Sequence, residues 1–216
     1  MPLIVQGNGG VNADVAGSAF RALNVNIKPI DHGVLGHYRI TQRILTTAAQ
    51  VANARLLTLR NAGTNLIIPT RLVIRAAQVA AGTAQENSVD VYRYTNFTVQ
   101  DTTNVTIVNG SPKRSSMPAA PGNAQIRVAT AVAAGMTGGT LTKDAAPIGT
   151  LPFNVAAAIN TTSIWGPTDV FDDFNGTHPL VLAANEGIGI ENRVLNVTSY
   201  GIALFVDLAW VETTAY

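Results

Sequence analysis

The sequence contains no cysteine, so a disulfide framework and a thiolate metal site are both excluded. Charge is scarce as well: Asp, Glu, Lys and Arg make up 12% of the chain, against about 25% in an average soluble domain. Aromatic residues are 6%. No stretch approaches the run of about 18 apolar residues that a membrane helix needs. The first residues, Met1 to Gly7, carry neither a basic leader nor a long apolar run, so a signal peptide is not expected and synthesis in a cytosol is. The formal net charge is +1, and the only adjacent basic pair is Lys113-Arg114. Binding to nucleic acid rests on clustered Lys and Arg. The linear sequence shows no such cluster, so neither nucleic acid nor membrane is an expected partner.

What is present is apolar and weakly polar. Hydrophobic residues reach 47%, so Thr, Asn, Ser, Gln, Gly and Ala must cover much of the surface. A surface short of ions is poorly protected against association, which suits a protein packed against neighbours. The chain of 216 residues is long enough to bury a substantial core.

The clearest pattern lies at the C-terminal end. Ile202, Leu204, Val206, Leu208 and Trp210 alternate with Ala203, Phe205, Asp207, Ala209 and Val211. A period of two with the large apolar groups on one side is a strand lying over a core. Ile188, Ile190 and Val194 alternate with smaller or charged residues in the same way. The two segments, joined by Asn196 to Tyr200, are expected to pair as antiparallel partners near the middle of a sandwich.

Upstream, Tyr38 to Leu45, Ala54 to Arg60, Arg71 to Val79, Val89 to Tyr94, Val105 to Val108 and Gln125 to Val132 read as strands between turn signals. Leu66 to Ile68 runs into Pro69, which marks an edge or a bulge. Leu141 to Asp144 and Ile148 to Ile159 add shorter candidates, the latter interrupted by Pro152. Ser111 to Asn123 and Thr161 to Thr177 read as irregular. The expected fold is all-β: a jelly-roll-like β-sandwich of about 8–10 short antiparallel strands with an extended N-terminal arm. The sandwich domain is placed at residues 38–216 and the arm at residues 1–37. The arm is punctuated by Gly and Asn and has no sustained apolar period. A short helix is conceivable over Ala13 to Leu23, weakened by Gly17, and a brief strand at Val25 and Ile27.

No catalytic motif stands out. Gly-x-Ser-x-Gly and the phosphate loop Gly-x-x-x-x-Gly-Lys-Ser/Thr are missing. Gly187-Ile188-Gly189 lacks the third glycine of a dinucleotide loop. The three histidines are His32, His37 and His178. His32 and His37 lie five apart, and a zinc site would need a third ligand from His178 or Asp172 across the fold, so the histidines read as turn or contact residues. Asp169, Asp172 and Asp173 read as a solvated acidic turn rather than a calcium loop or a glycosidase pair. The Asn-x-Thr triplets at Asn96, Asn104, Asn160, Asn175 and Asn196 read as β-rich turn chemistry, not glycan acceptors. Neither an enzyme nor a cofactor or metal is expected.

A set of local patterns runs from end to end: Phe20-Arg21-Ala22-Leu23, Lys28-Pro29-Ile30-Asp31-His32-Gly33, Leu35-Gly36-His37-Tyr38-Arg39, Lys113-Arg114-Ser115-Ser116-Met117, Gly138-Gly139-Thr140-Leu141, His178-Pro179-Leu180-Val181-Leu182, Asn185-Glu186-Gly187 and Ala209-Trp210-Val211-Glu212. In their order the chain resembles a group of tailed-bacteriophage virion structural proteins. The resemblance implies an accessory shell or tail component and no set of active-site residues. The expected function is that of a capsid decoration (cement) protein on the outside of the shell, bridging neighbouring capsid subunits. Its partners would be the major capsid protein and neighbouring copies of itself, a trimer being one arrangement. It would be made in the host cytoplasm and end on the virion surface. Phe20, Arg21, Leu23, Lys28, Ile30 and Arg39 are the candidate partner-binding residues, offering apolar plugs and cations. A tail or fibre component that binds a host-surface glycan is the alternative, with Trp165, Tyr92, Tyr94 and Tyr200 as the available aromatic faces.

Overall fold

The computed structural model describes residues 35–46, 49–130, 133–158, 163–171, 179–193 and 201–214, together with the backbone of three short strands nearer the N-terminus. Two compact units are present, residues 1–31 and 32–216. In the first, β1 (Val5–Gln6), β2 (Asn12–Val15) and β3 (Leu23–Asn24) form a small antiparallel sheet in the order β1-β2-β3. The start of the helix considered over Ala13 to Leu23 is therefore strand. Val25 and Ile27 lie outside the described residues.

The second unit contains β4 (Gly36–Thr46), β5 (Ala54–Asn61), β6 (Leu66–Ala80), β7 (Gln85–Val99), β8 (Val105–Val108), β9 (Ser111–Pro112), β10 (Ala124–Ala129), β11 (Thr140–Lys143), β12 (Gly149–Val155), β13 (Ile164–Asp169), β14 (Gly187–Asn192) and β15 (Gly201–Thr213). Among the described residues there is no helix. One sheet runs β13-β6-β15-β4-β9, and the other β11-β7-β14-β5-β10-β8 with β12 also on β7. All pairings are antiparallel.

Setting aside β8 to β11, the remaining strands form two four-stranded rows, β4-β15-β6-β13 and β5-β14-β7-β12. The chain changes sheet at nearly every step. That is the double-sheet jelly roll, the architecture expected from the alternating patterns. The strands are more numerous than the expected 8–10, and several are long: β6 and β7 each span 15 residues. Leu66–Ile68 and Arg71–Val79 fuse into β6 because Pro69 is absorbed at a bulge, where the register against β15 shifts between Ala209 and Trp210. Pro152 is absorbed in β12, which pairs only with β7, so its missing N–H costs no ladder bond on an open side. The stretch Thr161 to Thr177, read as irregular, contains β13. β4 starts at Gly36, so Gly36 and His37, assigned to the arm by sequence, belong to a sandwich strand.

One pairing expectation fails. β14 and β15 are not partners. β14 lies between β5 and β7, and β15 between β4 and β6 in the opposite sheet. Period-two patterning says that each strand is half or fully buried, and both are indeed central. It says nothing about which strand lies alongside, and the jelly-roll crossing sends consecutive strands to different sheets.

The core fills the space between the sheets. Ile40 and Ile44 of β4, Leu57 and Leu59 of β5, Ile188 and Ile190 of β14, and Leu204, Val206, Leu208 and Trp210 of β15 belong to one buried cluster. Trp210 stacks on Tyr38 with ring centroids 5.8 Å apart. Gly110 sits against this pair; a Cβ there would come within 2.4 Å of the Trp210 ring, so the tight passage needs glycine.

Candidate functional site

Three places in the sandwich concentrate polar side chains. The first is the outer face of the larger sheet. Every residue of β14 is buried: Ile188 and Ile190 lie in the core, and the Phe97, Tyr94 and Lys143 side chains lie against Gly187, Gly189 and Glu191 on the other side. There the Tyr94 hydroxyl donates to Glu191 Oε1 at 2.6 Å, and Lys143 Nζ donates to Glu191 Oε2 at 2.8 Å. Gly189 makes the first contact possible, since a Cβ there would lie 2.2 Å from the Tyr94 oxygen. Lys143 also sits 4.3 Å from the centroid of the Tyr92 ring. Beside them Arg55 grips Asp101 with two bonds, 2.6 Å and 3.2 Å, and the Gly139 N–H donates to the same carboxylate.

Burial, and secondarily the Glu191 charge, push the Tyr94 phenol well above its ordinary range. For Arg55, burial works downward, but the Asp101 hydrogen bond and charge outweigh it and the net shift is upward. Tyr94 is thus held protonated, Arg55 held charged, and both carboxylates have their oxygens occupied. The cluster ties strands and connections together; it leaves no poised base or nucleophile.

A neighbouring cavity of about 410 Å³ is lined by Glu86, Asn87, Ser88, Thr150, Pro152 and Arg193. Next to it Asp90, fully buried, accepts from Thr150 at 2.8 Å and from Tyr92 at 3.3 Å, with Arg193 at 3.7 Å.

The second place is Glu212 near the end of β15, 1% exposed. Its oxygens accept from the backbone N–H groups of Gly122, Asn123 and Ala124, and from the Asn123 side-chain amide. It anchors the Pro-rich connection 113–123 across the end of the sandwich. Tyr38 reinforces that anchor by donating to the carbonyl of Ala120 at 3.2 Å. The Tyr38 phenol is pushed up by burial first and by Glu212 second.

The third place is the outer face of the smaller sheet. Arg39, Thr41 and Arg43 alternate outward on β4. Register sets Arg39 and Arg71 on either side of Ala209, Thr41 and Val73 on either side of Asp207, and Arg43 and Arg75 on either side of Phe205. Asp207 accepts from Thr41 at 2.8 Å and lies 3.8 Å from Arg75. Phe205 is 38% exposed. Lys113 is held beside β4 by a bond from its N–H to the His37 carbonyl at 2.8 Å. A shallow cavity of about 280 Å³ opens here, bordered by Arg39, Thr41, Arg71, Lys113, Asp207 and Ala209. Burial first, then Arg39 and Arg71, lower the pKa of Lys113. The basic residues looked scattered in the sequence because the members of this group stand tens of residues apart. Sheet register collects them. The available signal was the outward parity of Arg39 and Arg43, and of Arg71 and Arg75.

Of the partner-binding candidates, Arg39 lies on this cationic face. Leu23 belongs to β3, where only the backbone is described. Phe20, Arg21, Lys28 and Ile30 lie outside the described residues, as do His32, His178, Asp172 and Asp173. His37 places Nε2 3.3 Å from the Thr70 hydroxyl. Asp169 ends β13 opposite Val73. Asn96, inside β7, and Asn104 both take left-handed backbone conformations, at φ 50° and 58°. The aromatic faces considered for a glycan differ in their surroundings. Tyr94 is fully buried, Tyr92 is covered by Lys143, and Trp165 leans on Phe153 at 5.8 Å; Tyr200 lies outside the described residues. Comparison of the chain with protein-family models, with curated proteins and with solved structures gives no match.

Proposed function

We propose that this chain is a structural component of a tailed-phage virion, and within it a capsid decoration protein. It would sit on the outside of the shell, contacting the major capsid protein and neighbouring copies of itself. The observation that carries the reading is the chemistry of the sheet edges. β13 ends one sheet and β8 ends the other, and each presents a large apolar side chain to solvent: Ile164 is 67% exposed and Ile107 is 64% exposed. An edge strand offers unpaired backbone groups, and natural proteins usually guard it with charge or proline. β8 (Val105–Val108) carries neither, so Ile107 puts unguarded apolar surface at that edge, while β13 adds Ile164 beside Pro167 and Asp169. In a chain with 12% charged residues, such edges suit lateral packing in an assembly.

Two further points support the reading. The buried carboxylates Asp90, Asp101, Glu191 and Glu212 are all engaged by donors that hold loops or strands together. The sequence patterns that resemble virion proteins fall in part on β4, β11 and β15, which shape the sandwich itself. The test is cryo-electron microscopy of purified particles carrying the protein. The expected result is jelly-roll density on the outer capsid surface with β8 or β13 at contacts between subunits. Density at the tail tip, or absence from purified particles, would overturn the reading.

A further inference from the structure

We propose that the cavity over Ala209 is an anion-binding site that takes a phosphate monoester group. The inference stands apart from the virion reading and rests on three cations brought together by register. Arg39 and Arg71 are both Cα partners of Ala209, one from each neighbouring strand. Antiparallel partners stand about 5 Å apart, so the two arginines flank a gap of roughly 10 Å. The floor of that gap is a methyl group, because β15 carries alanine there. Lys113, which follows β9 at the sheet edge, adds the third cation.

None of the three side chains has a carboxylate partner or a hydrogen bond among the described residues. By contrast, Arg55, Arg93 and Lys143 each hold a carboxylate within 3 Å. The one carboxylate at the cavity, Asp207, is already engaged by Thr41 and Arg75. With Arg75 counted, four cations face one carboxylate, so three positive charges remain uncompensated. A phosphate monoester carries close to two negative charges at neutral pH, whereas a single carboxylate brings one. Guanidinium groups also present paired N–H donors that match phosphate oxygens. Burial first, and then Arg39 and Arg71, lower the pKa of Lys113. The second part is the repulsion of like charges held together, which an anion relieves.

The experiment is isothermal titration of the full chain with glycerol 2-phosphate and with inorganic phosphate. Chloride at matched ionic strength, citrate and a single-stranded oligonucleotide are the comparison probes. The variants are Arg71→Gln and Lys113→Gln, both at exposed positions, with Arg93→Gln on the other sheet as control. Thermal melts confirm that each variant is folded. We expect saturable one-to-one binding of both phosphates, weakened about tenfold by either cavity variant and unchanged in Arg93→Gln. Glycerol phosphate should bind more weakly at about pH 5 than at about pH 7.5, because its second ionisation lies near 6. The proposal is overturned by any of four results: no saturable phosphate binding, an equal response to chloride, citrate binding more tightly than phosphate, or oligonucleotide binding that phosphate does not displace.

Discussion

Replacing Glu212 by Gln isolates one carboxylate that holds a whole connection in place. The side chain keeps its shape, but one oxygen becomes an NH2 group. Glu212 Oε1 accepts from Asn123 N at 3.1 Å and Ala124 N at 2.9 Å, and Oε2 from Gly122 N at 3.0 Å and Asn123 Nδ2 at 2.8 Å. Whichever way the amide turns, one side sets donor against donor and leaves a buried N–H unpaired. That costs about 1–3 kcal/mol. The bonds that survive change from charge-assisted to neutral, each losing about 1 kcal/mol. An amide is easier to bury than a carboxylate, which returns part of the loss. The net destabilisation is about 3 kcal/mol. For a chain of this length each kcal/mol moves Tm by about 2–4 °C, so Tm should fall by roughly 6–12 °C. Circular-dichroism melts and urea titrations of the full chain measure it, with a lower midpoint and an unchanged m-value expected. Exposed Glu86→Gln is the control and should stay within about 0.5 kcal/mol. A fall in Tm below about 2 °C in Glu212→Gln would refute the argument that the carboxylate anchors the 113–123 connection.

Trp210→Ala should cost about 3–5 kcal/mol, since it empties a fully buried site and breaks the stack on Tyr38; a loss under about 1 kcal/mol in a urea melt would mean that the inward face of β15 is wrongly assigned. Tyr94 governs alkaline stability. Its folded-state pKa is raised, so its contribution is intact below the unfolded value of about 10 and is lost as pH climbs from there towards the folded value. Melts across that range should show stability falling with pH, and Tyr94→Phe should flatten the slope by up to about 1.4 kcal/mol per pH unit; an unchanged slope refutes the coupling. A chain comprising residues 32–216 should melt cooperatively and keep its β-sheet spectrum, because that unit holds the entire sandwich core. On the virion reading it should no longer co-sediment with particles lacking the protein, and binding equal to that of the full chain would remove the N-terminal segment as the attachment device.

The sequence by itself determined that Ile202 to Trp210 and Ile188 to Ile190 are buried strands, that Pro69 marks an edge or a bulge, and that the body is a β-sandwich. Those properties follow from side-chain period and backbone chemistry, which are local. The absence of cysteine and of nucleophile or phosphate-loop motifs was equally plain in the residues. Only the tertiary structure decided that β14 and β15 lie in different sheets, because period two fixes a strand's inward face and leaves its neighbours open. The same holds for the polar clusters. Nothing near Glu212 in sequence announces that it receives N–H groups from residues 122–124. Nothing near Glu191 names Tyr94 and Lys143. Arg39, Arg71, Lys113 and Ala209 meet because β4, β6 and β15 share one register and β9 adds an edge. A cation that looks isolated along the chain therefore acquires its neighbours only when long-range strand pairing sets them side by side.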